Sequence, residues 1–291
     1  MLTPQLLHAL RNLPLAARQA AEGFLVGAHA SRRHGAGMEF SQYRPYQPGD
    51  DLRRLDWRLA ARSDKYFLRE SEVDTSVTVN LVLDASASLG HPDANGLTKL
   101  DYARLLLAAL AYLAQTQGDA VGLTLLLPTG LRQLPPRADA RQLPRLYHAL
   151  ETVAATGTFP DAATLGPLTA RRQRALTVCV SDLYEEQGEI TRLLSRLRAS
   201  TGDVLLLHLM AGNELNFSYK GQVTFRDLET GQTLQLDADQ QRAAYQRQLQ
   251  AWLRDTAQAA RQQGLDYHLL DTSQPLDGAL REFLKRRQRM S

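Results

Sequence analysis

A single cysteine, Cys179, stands in 291 residues, so the chain cannot close an internal disulfide and needs no oxidising compartment. It lies in the apolar run Ala175 to Val180, where a buried structural thiol is the expected reading. No stretch approaches the roughly 20 apolar residues that a bilayer span requires. The opening MLTPQLLHALRNLP has some apolar character, but Arg11 and Pro14 interrupt any signal-peptide core. These absences point to a cytoplasmic protein. An excess of one charge is also lacking: Lys and Arg number 34 against 31 Asp and Glu, a net charge of +3 that is low for a nucleic-acid binder. The local exception is the C-terminus, where Arg281, Lys285, Arg286, Arg287 and Arg289 crowd together. Such a run can touch nucleic acid or anionic lipid. The preferred reading is the solvated end of a helix, whose negative pole favours cations. No Gly-x-Ser-x-Gly nucleophile elbow, internal repeat or low-complexity tract is present.

What is present centres on the stretch from Val77 to Leu89, VTVNLVLDASASL. Its β-branched apolar run, ended abruptly by small polar residues, reads as a buried strand. Further strands are expected at 120–127, 175–180, 203–210 and 265–270. Helices are expected at 3–29, 99–116, 138–153, 189–199, from 239 to about 263, and at 277–287. In the helix at 99–116, Leu100, Ala103, Leu107, Leu110 and Ala114 share one face. Alternation at this spacing predicts an α/β fold, with a mostly parallel sheet and helices on both faces. Two short runs at 222–228 and 232–237 flank Glu229-Thr230-Gly231 and predict a late β-hairpin.

Residues 31–75 differ in character, being dense in charge and aromatics around the turn signal Pro48-Gly49-Asp50. Extended segments at 38–46 and 65–73 predict a small β-rich module. The division expected is therefore a helical segment at 1–30, this module at 31–75, and the main domain at 76–291. Arg44, Asp50, Asp51, Arg53, Asp56, Arg62 and Glu70 form either an internal salt-bridge network or a partner surface. Trp57 is read as a core or interface anchor.

Asp84, Ser86 and Ser88 place three oxygen-bearing side chains at alternate positions where a strand ends, and sites in open α/β sheets lie at such ends. One carboxylate and two hydroxyls suit Mg²⁺, which prefers oxygen ligands and keeps several waters. Asp182 ends another apolar strand and can supply a second carboxylate. A threonine from the loop after the 138–153 helix can complete the set; Thr158 is the choice and Thr156 its competitor. The alternative is that Asp-x-Ser-x-Ser merely caps and turns the chain. His208 lies inside an apolar strand and reads as a core histidine rather than a base.

Asp84-x-Ser86-x-Ser88 with a later Thr and Asp182 resembles the metal-ion-dependent adhesion site of von Willebrand factor A-like domains, a Rossmann-like fold. Gly35-x-Gly37-x-Glu39-Phe40-Ser41, Arg44-x-Tyr46-x-Pro48-Gly49-Asp50-Asp51-x-Arg53, Asp56-Trp57 and Ala61-Arg62 resemble the signature of the domain of unknown function 58 family. The resemblance covers residues from about 22 to the C-terminus, and the late hairpin is similar to that family's insertion. It implies a short soluble form of a family whose members often carry N-terminal membrane helices. It also implies association with a MoxR-type AAA+ ATPase and a role as adaptor or assembly factor. The resulting expectation is a non-enzymatic protein-interaction module binding Mg²⁺, with Mn²⁺ or Ca²⁺ as alternatives. The protein partner would supply an acidic residue to the ion. A nucleic-acid-binding reading through the basic C-terminus and Arg171, Arg172 and Arg174 is the competitor. A third reading, a metal-dependent phosphohydrolase, has no evident general base.

Overall fold

The apolar runs form the middle of a six-stranded sheet in the computed structural model, which describes residues 12–32, 43–45, 67–69, 76–160, 175–184 and 188–290. In chain order the elements are α1 (Leu13–Arg32), β1 (Tyr43–Pro45), β2 (Phe67–Arg69), β3 (Thr78–Asp84), α2 (Lys99–Thr116), β4 (Ala120–Leu127), β5 (Gly130–Arg137), α3 (Gln142–Thr152), β6 (Ala175–Ser181), α4 (Glu189–Thr201), β7 (Gly202–Met210), α5 (Gly212–Asn216), β8 (Gln222–Arg226), β9 (Thr233–Asp237), α6 (Ala238–Gln262), β10 (Asp266–Asp271) and α7 (Asp277–Met290). A 3₁₀ turn, Ala87–Gly90, follows β3.

The sheet order is β10-β7-β6-β3-β4-β5. All neighbours are parallel except β4 and β5. β6 is buried at every position, as expected of a strand covered on both faces. On one face, Val82, Cys179, Val204 and Leu206 pack with Ile190, Leu193 and Leu197 of α4 and Ala260 of α6. On the other, α2 packs against α3, α7 and the central strands. The expected mostly parallel α/β sheet with helices on both faces is therefore what the chain forms. No helix among the described residues is long and apolar enough to cross a membrane.

The residues from Leu25 to Thr75 cluster as one compact unit and the rest as another. In the smaller unit, β1 and β2 pair antiparallel with Tyr43 opposite Arg69. The charged signature residues and Trp57 fall outside the described side chains, as do Arg171, Arg172 and Arg174. In the larger unit, Leu13, Ala16, Ala17, Ala21 and Phe24 of α1 are buried at helical spacing. Glu22 on the same helix accepts a hydrogen bond from the Tyr112 hydroxyl of α2 (2.9 Å).

α2 begins in a capping box between Thr98 and Asp101. Beyond its end comes Asp119, which is fully buried and satisfied three times. Its carboxylate accepts from Val77 N (2.9 Å), Arg287 Nε (2.6 Å) and Arg287 Nη2 (2.9 Å). Arg286 pairs with Asp266 at 2.7 Å. The basic C-terminal run is helical as expected, but Arg286 and Arg287 are paired within the fold rather than left solvated.

Residues 130–137, which contain Pro135-Pro136, are not among the strands expected from the sequence. The structure pairs them antiparallel to β4 at the sheet edge, where missing donors are tolerated. The register shifts between Val121 and Leu123, and buried Gln142 donates to the carbonyls of Val121 (2.7 Å) and Pro135 (2.9 Å). Gly122 sits at this shift, where a Cβ would come within 2.9 Å of Pro136 N and 3.0 Å of Leu134 O. Both are backbone atoms and yield poorly. Gly122→Ala is expected to lower the unfolding free energy by about 1–3 kcal/mol, read from urea melts. An unchanged midpoint would show that β5 is not held this closely.

Candidate metal centre

The connection from β3 leaves through α2 to β4, and that from β6 leaves through α4 to β7 on the opposite side. The carboxyl ends of β3 and β6 therefore border a topological switch point, the crevice where open α/β sheets place their sites. Asp84 closes β3, and Asp182 follows the last residue of β6. Both are fully buried.

Local hydrogen bonds shape the loop after β3. Ala85 N–H still donates to β4 at Leu126 O (3.1 Å), and Ser86 N–H turns back onto Asp84 Oδ1 (2.9 Å). Buried Leu89 anchors the 3₁₀ turn. The hydroxyls of Ser86 and Ser88 share a hydrogen bond of 3.0 Å, and Ser88 Oγ donates to Asp182 Oδ1 at 3.1 Å. Ser181 Oγ donates to Asp84 Oδ2 at 2.7 Å and accepts from Leu183 N (2.9 Å). Asp84, Ser86, Ser88 and Asp182 thus form one hydrogen-bonded run.

The loop after α3 is clipped to this run through its main chain. Thr156 N–H donates to Ala85 O (3.0 Å), and Ala87 N–H donates to Gly157 O (2.8 Å). Thr156 and Thr158 both lie exposed on this loop. Neither hydroxyl hydrogen-bonds another described group.

The electrostatics contain two parts that the sequence reading omits. Lys99 at the start of α2 is about 1% exposed, and its Nζ donates to Asp182 Oδ2 (2.7 Å) and Glu214 Oε1 (3.0 Å). Its ammonium also lies 4.9 Å from the centre of the Tyr184 ring. Burial works against the charge on Lys99, but Asp182 and Glu214 outweigh it and hold the pKa above the usual lysine value. Glu214 is fixed by its second oxygen, Oε2, which accepts from Ala211 N (2.7 Å) at the start of α5. A signal for Lys99 exists in the sequence: a cation in the first turn of a helix faces the positive pole and needs a reason to be there. α5 is too short to leave a period that could have found Glu214.

Among the described residues, no cation pairs with Asp84. Burial, then the charge of Asp182, push its pKa up to about 7, against the hydrogen bonds from Ser181 and Ser86. Glu229, in the turn between β8 and β9, interacts with Ser88 at the edge of this run. Burial raises its pKa, hydrogen bonding to Ser88 opposes this, and the charge of Asp182 raises it further.

Behind the site, Tyr184 stacks on Trp252 (5.4 Å, 9°), and Trp252 meets the edge of His208 (5.2 Å, 90°). His208 Nδ1 is 2.8 Å from the Tyr267 hydroxyl. Burial lowers the His208 pKa to about 4, so the ring is a neutral core histidine.

Among the described residues, no three carboxylate, imidazole or thiol groups converge as a metal cluster. Any ion here would rest on two carboxylates and neutral hydroxyls, a donor set suited to a hard divalent cation. The residues fit such an ion on charge: Asp84 and Asp182 are buried together, and the ammonium of Lys99 engages only the Oδ2 side of Asp182.

Comparison with known proteins gives relatives that span most of the chain. An uncharacterized protein of Mycobacterium tuberculosis, Rv1480, is 29% identical over 240 residues, covering 81% of this chain and 75% of the relative. Among solved structures, the chain is similar to an aerotolerance-related membrane protein from Bacteroides fragilis, at 17% identity and a TM-score of 0.48. That match covers 72% of this chain and 100% of the other. It is also similar to the conserved hypothetical protein BatB from Bacteroides thetaiotaomicron, at 14% identity and a TM-score of 0.46, covering 72% and 98%. Residues 42–253 match the profile of the family described as protein of unknown function DUF58, and the chain belongs to that family.

Proposed function

We propose that this protein is a metal-dependent protein-interaction module. Mg²⁺ would be held by Asp84, Ser86, Ser88 and Asp182, with Thr158 or Thr156 completing the set; Mn²⁺ and Ca²⁺ are the alternatives. The bound ion would supply a Lewis-acidic position for an acidic group. The observation that carries this reading is the buried Asp84–Asp182 pair at the switch point, linked through Ser86 N–H and the hydroxyls of Ser86 and Ser88. The partner proposed is a MoxR-type AAA+ ATPase, the association implied by the family resemblance, with the module serving assembly or maturation of a client. The reading is non-catalytic: no described histidine hydrogen-bonds Ser86 or Ser88, and His208 is held neutral by burial. The engagement of Arg286 and Arg287 inside the fold weighs against nucleic-acid binding through the C-terminus.

Calorimetric titration with Mg²⁺ and with Mn²⁺, alone and in the presence of the ATPase, tests the metal. Wild type is expected to bind and Asp84→Ala to lose binding; equal binding by both, or none by either, sinks the reading. A pull-down of the ATPase with and without EDTA tests the partner, and capture is expected to disappear with the chelator.

A further inference from the structure

The two edges of the six-stranded sheet are guarded differently. At one edge β5 carries Pro135 and Pro136, which deny a further strand some of its ladder donors. At the other edge β10 has no proline, and its register with β7 runs without a bulge from Asp266 to Asp271. No described strand pairs with its outer side. Thr272 N–H continues the inner ladder to Met210 O (2.9 Å), so alternation turns the N–H and C=O groups of Tyr267, Leu269 and Asp271 outward. The acids of this strand are engaged elsewhere, Asp266 by Arg286 (2.7 Å) and Asp271 by Ser273 N (2.8 Å).

Helix α6 and this edge enclose a groove of about 820 Å³. Leu253, Ala257, Tyr267 and Leu269 form its apolar part, and Arg254 and Arg261 border it. Leu269 is 39% exposed. Arg247, Arg254 and Arg261 are all exposed at seven-residue spacing, which sets them about 10 Å apart along one side of the helix. None of the three forms an ion pair among the described residues. The acids of α6 do not offset them: Asp239 pairs with Arg242 (3.1 Å), and Asp255 lines a separate groove with Ile190 and Ala260. Positive charge therefore stands uncompensated beside an open strand.

We propose that the β10 edge takes an extended, acidic segment of a partner protein as an added strand. Its backbone completes the ladder, and its carboxylates meet Arg254 and Arg261. A polypeptide uses both features, whereas a nucleic acid would engage the arginines and leave the strand's polar groups unfilled. A second copy of this chain, paired antiparallel, would lay one arginine row beside another, where like charges repel. The surface is separated from β6 by β7 and needs no metal.

The test uses the full chain in EDTA and a short fluorescent peptide of alternating glutamate and valine, followed by anisotropy. Lysine–valine and glutamate–proline peptides and a single-stranded oligonucleotide serve as comparisons, and light scattering gives the mass without peptide. The glutamate–valine peptide is expected to bind, to weaken with salt, and to slow hydrogen exchange at Tyr267, Leu269 and Asp271. Arg254→Glu/Arg261→Glu should weaken it about tenfold or more. Leu269→Pro, which spares the bonds to β7, should remove binding; if that variant fails to fold, the arginine variant and the exchange pattern decide. The proposal is overturned if the glutamate–valine peptide does not bind, or if either comparison peptide binds as well. It is equally overturned if the oligonucleotide binds more tightly through the same arginines, or if the protein is already a dimer that Leu269→Pro dissociates.

Discussion

Asp84→Asn is expected to make the metal-free protein more stable at pH 8, although it removes a residue of the proposed site. Asp84 is buried with no cation paired to it among the described residues, and its folded-state pKa is raised to about 7. Between the ordinary carboxylate range and that value, the folded state holds a proton that the unfolded state has released. A raised carboxylate pKa therefore favours the fold fully at low pH, and that advantage is lost as pH rises through about 7. The loss is on the order of 4 kcal/mol across the interval. The replacing carboxamide keeps an acceptor for Ser86 N–H, and its nitrogen can donate to Ser181 Oγ. Urea melts in EDTA at pH 5 and pH 8 measure the effect. The gap between variant and wild type should open in favour of the variant as pH rises. A variant less stable than wild type at pH 8 would refute the assignment of a buried, uncompensated charge.

Lys99→Met should act in the opposite direction. The thioether fills much of the volume of the lysine stem, so little packing is lost. The ammonium that serves Asp182 Oδ2 and Glu214 Oε1 is removed, and Asp182 remains fully buried. Breaking a buried pair from one side typically costs about 3–5 kcal/mol. Urea unfolding at pH 7.5 in EDTA reads this loss directly. A change below about 1 kcal/mol would mean that water or rearrangement satisfies Asp182 without Lys99. The double variant Lys99→Met/Glu214→Gln should recover part of the loss, because one of the stranded carboxylates is then neutral.

The strand ends were legible because burial on both faces leaves an unbroken apolar run, and such runs in β3 and β6 stop at Asp84 and at Ser181-Asp182. The hairpin was legible from its turn residues. Lys99 left only the hint of a cation in a helix's first turn and Glu214 none, because a single charge carries no periodicity and the two lie 115 positions apart. β5 was hidden by two prolines that only an edge strand tolerates. Glu229 was visible as part of a turn, but not as a group directed at Ser88, since the path of a hairpin over the sheet is set by its base. That base, Phe217 with Phe225 and Tyr245, is a tertiary cluster without a local pattern.

The Asp119–Arg287 pair joins groups 168 positions apart, and the same carboxylate holds the amide that leads into β3. During synthesis, the central strand and its neighbour β4 emerge long before the arginine that neutralises the aspartate between them. A nascent chain lacking α7 carries an unpaired carboxylate at the foot of its sheet. It also leaves uncovered the apolar surface that Ala279, Leu280 and Phe283 seal. Helix α7 thus completes the first strands of the sheet, which is closed only when translation has passed residue 287.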